Sequence, residues 1–501
     1  MIRRAIDIQS TRAADDGGYI LTMAGLILVP LVIVVGFAVD IGGWYLQAAQ
    51  TQRAADAAAL AGVVWMPDFS AAEAEARATA RKNGFEHGVN STVTVVEDTG
   101  ERLRVEIAQG TDQYFTSFFL SPFDLERKAT AEFIRPVPLG SPKNILGAGT
   151  NLAHSNPDRV WLANSGWCSS RENGDQLLAG FQATAFGSDH QCDTALVEPN
   201  QYGDSGGYWY SIYFAQDIAG PVHFQVYDAR YRFSGSDKID DRYRSGSDVI
   251  TTHYEVRDKD DSIFDWTNNP ILVDHRVVGN DSSWANWQTL ETVHDPRAGE
   301  TYYIHVWTEW GVLDAVGSNQ YALRVKEGST FTECSALVTA SCPQLAAINR
   351  LPMKAAATSS SADFFLAEIE PAHAGKQLKI ELFDIGEGAS WIEILDPSGT
   401  PVAFHWSTEC IPGFTPTGGC SGTTTRLDVS GCSGHNPPGP HRWGQCRYND
   451  RLLELTYDIP SSYSPSGSAW WKIRYRTGGG NVTDRTTWGV EVIGDPVRLT
   501  G

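Results

Sequence analysis

From Tyr19 to Val39 the chain reads YILTMAGLILVPLVIVVGFAV, an apolar run without a single charge. A helix needs about 20 such residues to cross a hydrocarbon core of ~30 Å, and a run of that length has few other uses. Asp15 and Asp16 precede it and Asp40 closes it. Pro30 lies inside, where a membrane span tolerates it better than a soluble helix does. Arg3, Arg4 and Arg12 flank the N-terminal side, and the next basic residue is Arg53. The excess of basic residues on the cytoplasmic side of spans predicts a cytoplasmic tail over 1–18, a transmembrane helix over 19–40 and everything later outside the cell membrane. A cleaved signal peptide has a shorter apolar region and a small-residue cleavage site. FAVDIGGWY offers a poor one, so the helix is expected to be retained as a single-pass anchor.

Beyond the span, IGGWYLQAAQTQRAADAAALAGVVW is rich in alanine, the best helix former, with no proline until Pro67. One helix from about Tyr19 to Val64 is expected, roughly 65–70 Å long. Its outer half carries small residues that let helices approach closely. Ala48, Ala55 and Ala58 are the expected assembly face. The other reading packs the helix on its own block through Leu46, Leu60 and Val64.

The stretch from Asp15 to Gly62 resembles the N-terminus of TadE/TadG-like Flp (tight-adherence) pilus-assembly proteins. The resemblance rests on the span ending in Val39-Asp40, the Gly42–Tyr45 step and RAADAAALA at Arg53–Ala61. The next block is similar too: a helix (Ser70–Gly84), strands at Thr92–Val96 and Arg102–Ile107, a short helix with Phe115, Phe118 and Phe119, and a strand at Leu125–Phe133. With the Ala-rich helix it forms a small α/β domain over 41–136. The family implies membrane-bound partners that are pilin-like or serve pilus assembly, and no cofactor. One pilin feature differs. Met23 stands five residues after Gly18, where processed pilins carry a Glu.

At 501 residues the chain has room for about three domains. A formal net charge of −21 sets it against nucleic acid as a partner. Its eight cysteines, Cys168, Cys192, Cys334, Cys342, Cys410, Cys420, Cys432 and Cys446, all lie beyond the anchor. An even set without CxxC points to disulfides in an oxidising space. Short loops are expected: Cys168–Cys192, Cys334–Cys342, Cys410–Cys420 and Cys432–Cys446.

From Pro136 onward, short alternating strands are separated by Gly, Pro, Asp and Ser, as in GYWYSIYFA, HFQVYDA, KIELFDI and WWKIRYR. That alternation predicts half-buried antiparallel strands. Tyr210–Ala229 lines up with Phe364–Ile385, each holding two strands of which the second ends in Tyr/Phe-Asp, and Thr252–Ser262 with Ser390–Thr400. The expected fold is mainly β: the long helix, the small α/β block, then two tandem β-sandwiches, jelly-roll or prepeptidase-C-terminal-like, over 137–330 and 331–501.

No motif builds a catalytic set. Gly203-Asp204-Ser205-Gly206-Gly207 copies the nucleophile motif of chymotrypsin-like proteases, but no histidine stands in a matching context and a polar turn into a strand explains its composition. Asp258-Lys259-Asp260-Asp261-Ser262 begins like an oxygen-ligand loop and lacks the turn Gly and closing Glu of an EF-hand. Trp284, Trp287 and Trp443, near loops, are candidates to stack on a sugar or contact another protein, although tryptophan in a sandwich is more often core. The expected protein is a non-enzymatic, membrane-anchored pilus component, with adhesion as a second role. A freestanding adhesin or glycan-binding protein is the main alternative, and a hydrolase the remote one.

Overall fold

The computed structural model describes residues 17–500 apart from 67, 100–101, 135, 148–158, 167–168, 170, 180–205, 230, 233–240, 244–249, 260–265, 280, 310–316, 335–341, 358–359, 387–388, 411–418, 431–447, 449, 478–481 and 495–496. The chain forms two compact units, Met1–Phe133 with Val497–Gly501, and Ile134–Pro496.

The first unit is organised by one unbroken helix, α1 (Gly17–Val63), with Pro30 inside it. Its N-terminal part is apolar enough to cross a membrane, with a mean hydropathy of 2.7, and residues 19–35 are exposed. Beyond them one stripe becomes covered: Gly36, Asp40, Trp44, Gln47, Thr51, Ala55, Ala58 and Gly62, spaced three or four apart and so on one face. α2 (Phe69–Lys82) starts at Asp68, whose side chain accepts the Ala71 amide, and buries Ala72, Ala76 and Ala80. The sheet has the order β1 (Thr92–Thr99), β2 (Arg102–Gly110), β3 (Asp124–Phe133), β26 (Val497–Thr500). α1 packs on α2, β2 and β3. Val497–Thr500, expected within the last sandwich, instead extend this sheet, with Val497 opposite Phe133. Glu132 holds them there by pairing with Arg102 of β2 and Arg498 of β26, each at 2.9 Å.

The second unit is all β, and it repeats. Its first eight principal strands are β5 (Arg159–Ser165), β6 (Tyr208–Tyr213), β7 (Pro221–Asp228), β10 (Thr251–Arg257), β11 (Ile271–Val278), β12 (Gln288–His294), β13 (Thr301–Thr308) and β14 (Gly317–Glu327). The second eight are β16 (Arg350–Ala357), β17 (Ser361–Glu368), β18 (Gln377–Phe383), β19 (Ala389–Leu395), β22 (Leu427–Asp428), β23 (Leu452–Asp458), β24 (Trp470–Thr477) and β25 (Val482–Ile493). Short strands β4 (Ile145–Leu146), β8 (Tyr231–Arg232) and β9 (Asp241–Tyr243), with β20 (Phe404–Thr408) and β21 (Ser421–Thr424), add to the margins.

In the first set the sheets run β11-β10-β13-β6 and β12-β7-β14-β5; in the second, β22-β19-β24-β17 and β23-β18-β25-β16. Numbered in chain order, both sets give 2-7-4-5 packed on 1-8-3-6, the strand order of a jelly roll. The Tyr210–Ala229 and Phe364–Ile385 segments of the expected repeat fall on β6–β7 and β17–β18. The two rolls are not separate layers. Their first strands, β5 and β16, pair antiparallel, Met353 opposite Leu162, so one 13-stranded sheet runs through both. Between the rolls β15 (Gln344–Ile348) adds to the edge of β6. Asn349, at φ 60°, then turns the chain into β16, a left-handed conformation that Asn tolerates better than most residues. One contiguous apolar core spans both rolls, with Phe224, Tyr254 and Val306 from the first and Leu382, Ile473 and Trp488 from the second.

Candidate functional site: the junction of helix and folded block

A buried polar junction lies where α1 leaves its apolar segment. Asp40, 1% exposed, is a buried carboxylate with no counter-ion among the described residues, which is costly unless it is hydrogen-bonded. It accepts the amides of Tyr114 (3.2 Å), Phe115 (2.9 Å) and Thr116 (2.6 Å), and the Thr116 hydroxyl at 2.7 Å. These donors lie at the start of the one-turn 3-10 helix Thr116–Phe118, whose free amides suit an anion. One turn on, the Trp44 indole donates to the Asp112 carbonyl at 2.8 Å, and Gln47 to that of Gly110 at 2.9 Å. Gln109 donates to the Thr51 hydroxyl at 2.6 Å, and Gln52 to the Lys128 carbonyl at 3.0 Å. α1 is thus fastened to the sheet by a ladder of polar contacts for several turns above the apolar run.

Above the ladder the packing changes to small side chains. Ala55 and Ala58 are fully buried, and a Cβ on Gly62 would overlap the Leu103 side chain and the Ala76 methyl. The assembly face expected at these alanines is therefore corrected. Ala55 and Ala58 are consumed by the block itself, because only small side chains let the sheet and α2 come this close. Ala48 is half-buried on the margin of the same face. Of the residues in the other reading, Leu46 is 64% exposed, while Leu60 and Val64 are half-buried. Residue-by-residue reading missed the stripe of Gly36, Asp40, Trp44, Gln47 and Thr51, although its three-or-four spacing was there to be found.

The other sequence candidates scatter. Disulfides join Cys334–Cys342 and Cys410–Cys420, with Cα–Cα distances of 6.1 and 5.6 Å. Cys168, Cys192, Cys432 and Cys446 lie outside the described residues, as do Ser205 and Trp443. Gly207 of the protease-like motif has a structural reason: at φ 142° it faces the Val306 carbonyl, and a Cβ there would clash. The neighbouring Tyr208 donates to buried Asp175 at 2.6 Å. Trp287 lies under the Arg324 guanidinium, 4.1 Å away, and Trp284 meets the His275 ring edge-on. Lys259 pairs with Glu300 at 2.8 Å. Among the described residues no three His, Cys, Asp or Glu side chains converge to hold a metal.

Residues 18–78, which take in nearly all of α1 and most of α2, match the Flp pilus-assembly TadE/G-like family (Tad). The resemblance drawn from the span and the Ala-rich segment therefore holds over that stretch. The comparison with curated proteins finds no match. A solved structure of tripeptidyl peptidase 2 (TPP II) aligns over 88% of this chain and 40% of that chain, at 7% identity and a TM-score of 0.15. A score that low carries no argument about fold or activity.

Proposed function

We propose that the chain is a non-enzymatic, membrane-anchored component of a Flp-type (Tad) pilus or its assembly apparatus. It holds two fused jelly rolls outside the cell for contact with other pilus proteins or a surface. The observation that carries this reading is a coincidence of segments. The 18–78 family match falls on the helix that is long and apolar enough to span a membrane. Arg3, Arg4 and Arg12 before the span support a cytoplasmic N-terminus, and the two disulfides suit an oxidising exterior. Partners in this reading are other pilin-like or pilus-assembly membrane proteins, with a glycan or host surface as the adhesive target.

The test is a strain lacking the chain, complemented either by the full sequence or by a version without Tyr19–Val39. The full chain is expected to fractionate with membranes and restore pili, while the shortened one is released and restores none. Normal piliation without the chain would remove it from the apparatus, leaving the freestanding adhesin.

A further inference from the structure

We propose that the closed loop between Asp112 and Asp124 is a lipid-interface collar, inserted into the membrane leaflet that borders the folded block, alongside the helix that crosses it. The inference rests on the anchored reading above and adds a second membrane contact to it.

The loop reads QYFTSFFLSPF, with no charge from Gln113 to Phe123. It is pinned at its base, where the Thr111 amide and hydroxyl both donate to the Phe123 carbonyl, at 3.0 and 2.8 Å. Inside it, the amides of Phe119 and Leu120 both donate to the Thr116 carbonyl at 2.8 Å. The backbone is thus well paired, yet the side chains point outward: Phe118 is 86% exposed, Tyr114 71% and Phe119 63%. Phe115, Leu120 and Phe123 are also exposed. A contiguous apolar patch of this kind on a folded domain marks a contact surface.

Its height on α1 names the contact. Phe119 stacks on Phe37 at 5.8 Å and Phe123 meets Trp44 edge-on at 5.1 Å. A Cβ on Gly36 would strike the Phe115 ring. The loop therefore covers one side of the helix at residues 36–44, the end of the apolar run. On the remaining sides at that level α1 exposes Val39, Ile41, Tyr45 and Leu46. Helix and loop together present apolar side chains around the axis at one height. A bilayer that takes up Tyr19–Val39, about 20 residues for ~30 Å, brings its hydrocarbon boundary to that height. Aromatic residues favour this interface. Asp40 fits the same environment: a carboxylate at the edge of hydrocarbon must have its hydrogen bonds supplied by protein, and the amides of Tyr114, Phe115 and Thr116 supply them.

The experiment uses the full-length chain in its native membrane, with p-benzoylphenylalanine placed singly at Val29, Phe118 or Glu97, followed by irradiation and mass analysis of the adducts. Val29 lies within the span. Glu97 pairs with Leu103, which lies against Gly62, 22 residues and so about 33 Å along the helix from Asp40. Phospholipid adducts are expected at Val29 and Phe118, and none at Glu97. Lipid at Val29 with only peptide adducts at Phe118, whether to a second copy or to another protein, overturns the collar and leaves the anchor standing. No lipid at Val29 overturns the anchor and the collar with it. Equal lipid labelling at Glu97 and Phe118 likewise overturns the collar.

Discussion

Asp228 ends β7, the third strand of the first jelly roll, with its carboxyl buried. The Tyr254 hydroxyl donates to it, and Asn319 donates to the same hydroxyl at 3.2 Å and to Thr252 at 3.0 Å. Burial raises its pKa to about 7, against hydrogen bonds from Tyr254 and Asn319 that act to lower it. The folded chain therefore keeps a proton that the unfolded chain releases near pH 4. The stability this contributes is complete below about pH 4 and is lost as pH rises through 7. Asp228→Asn should flatten that dependence. Its melting temperature should change less between pH 5 and pH 8 than the parent's, and an equal change in both would exclude Asp228 as the source. By strand register the second roll has Asp384 at the corresponding position, with φ 61°, accepting the Asp450 amide at 2.7 Å. The aspartate closing each repeat was legible in the sequence. Its role as a proton holder was not, because topology alone brings Tyr254 and Asn319 to it across long stretches of chain.

Among the elements, α1 was the most legible. An uncharged run joined to an alanine-rich segment has essentially one fold, and the observed Gly17–Val63 lies within two residues of the expected limits. The strands were readable for a similar reason: alternation marks the pleat whatever the partner. Which face of α1 is used was not readable, since alanine serves equally well for packing inside a domain or between subunits. The burial of Ala55 and Ala58 turns this into a stability prediction. Leucine at either position inserts bulk into a filled interface, which typically costs about 1–3 kcal/mol. Ala55→Leu and Ala58→Leu should therefore lower the unfolding midpoint of the chain in detergent, while Leu46→Ala, on the exposed side, leaves it near the parent value. Parent-like midpoints in both alanine variants would return the face to assembly. The junction ladder was hidden in another way. Asp40 reads as the end of a span, and only the fold reveals that peptide amides of a loop more than seventy residues later surround it.

At the scale of the molecule, the chain leaves the first unit at Phe133 and returns at Val497, and these two residues are opposite one another in adjacent antiparallel strands. The whole of Ile134–Pro496 is in topological terms a very long loop on a hairpin. Replacing it with a short Asn-Gly turn, which favours hairpins, should leave a membrane-bound first unit whose helix and sheet still form. Amide exchange should show protection across β2 and β3 in that shortened chain. Loss of that protection would mean that the rolls are required for the small block to fold. Strand pairing between distant segments leaves no periodic trace in either one, so the sequence alone groups the last residues with the second roll.

The return of the chain through β26 also decides how the protein bears tension. A tug on the jelly rolls reaches the anchor through two covalent connections, at Phe133 and Val497, that enter neighbouring strands at the same end. A load applied along these strands draws β3 and β26 as a pair against β2, along a register running from Arg102–Glu132 to Gly110–Asp124. Hydrogen bonds pulled in shear resist together, whereas those at an unzipping end fail one after another. α1 takes up the force from both strands, from β3 through direct packing and the Gln52–Lys128 contact, and from β2 through the Gln47 and Thr51 contacts. That route makes the small block a mechanical coupling between the rolls and the long helix.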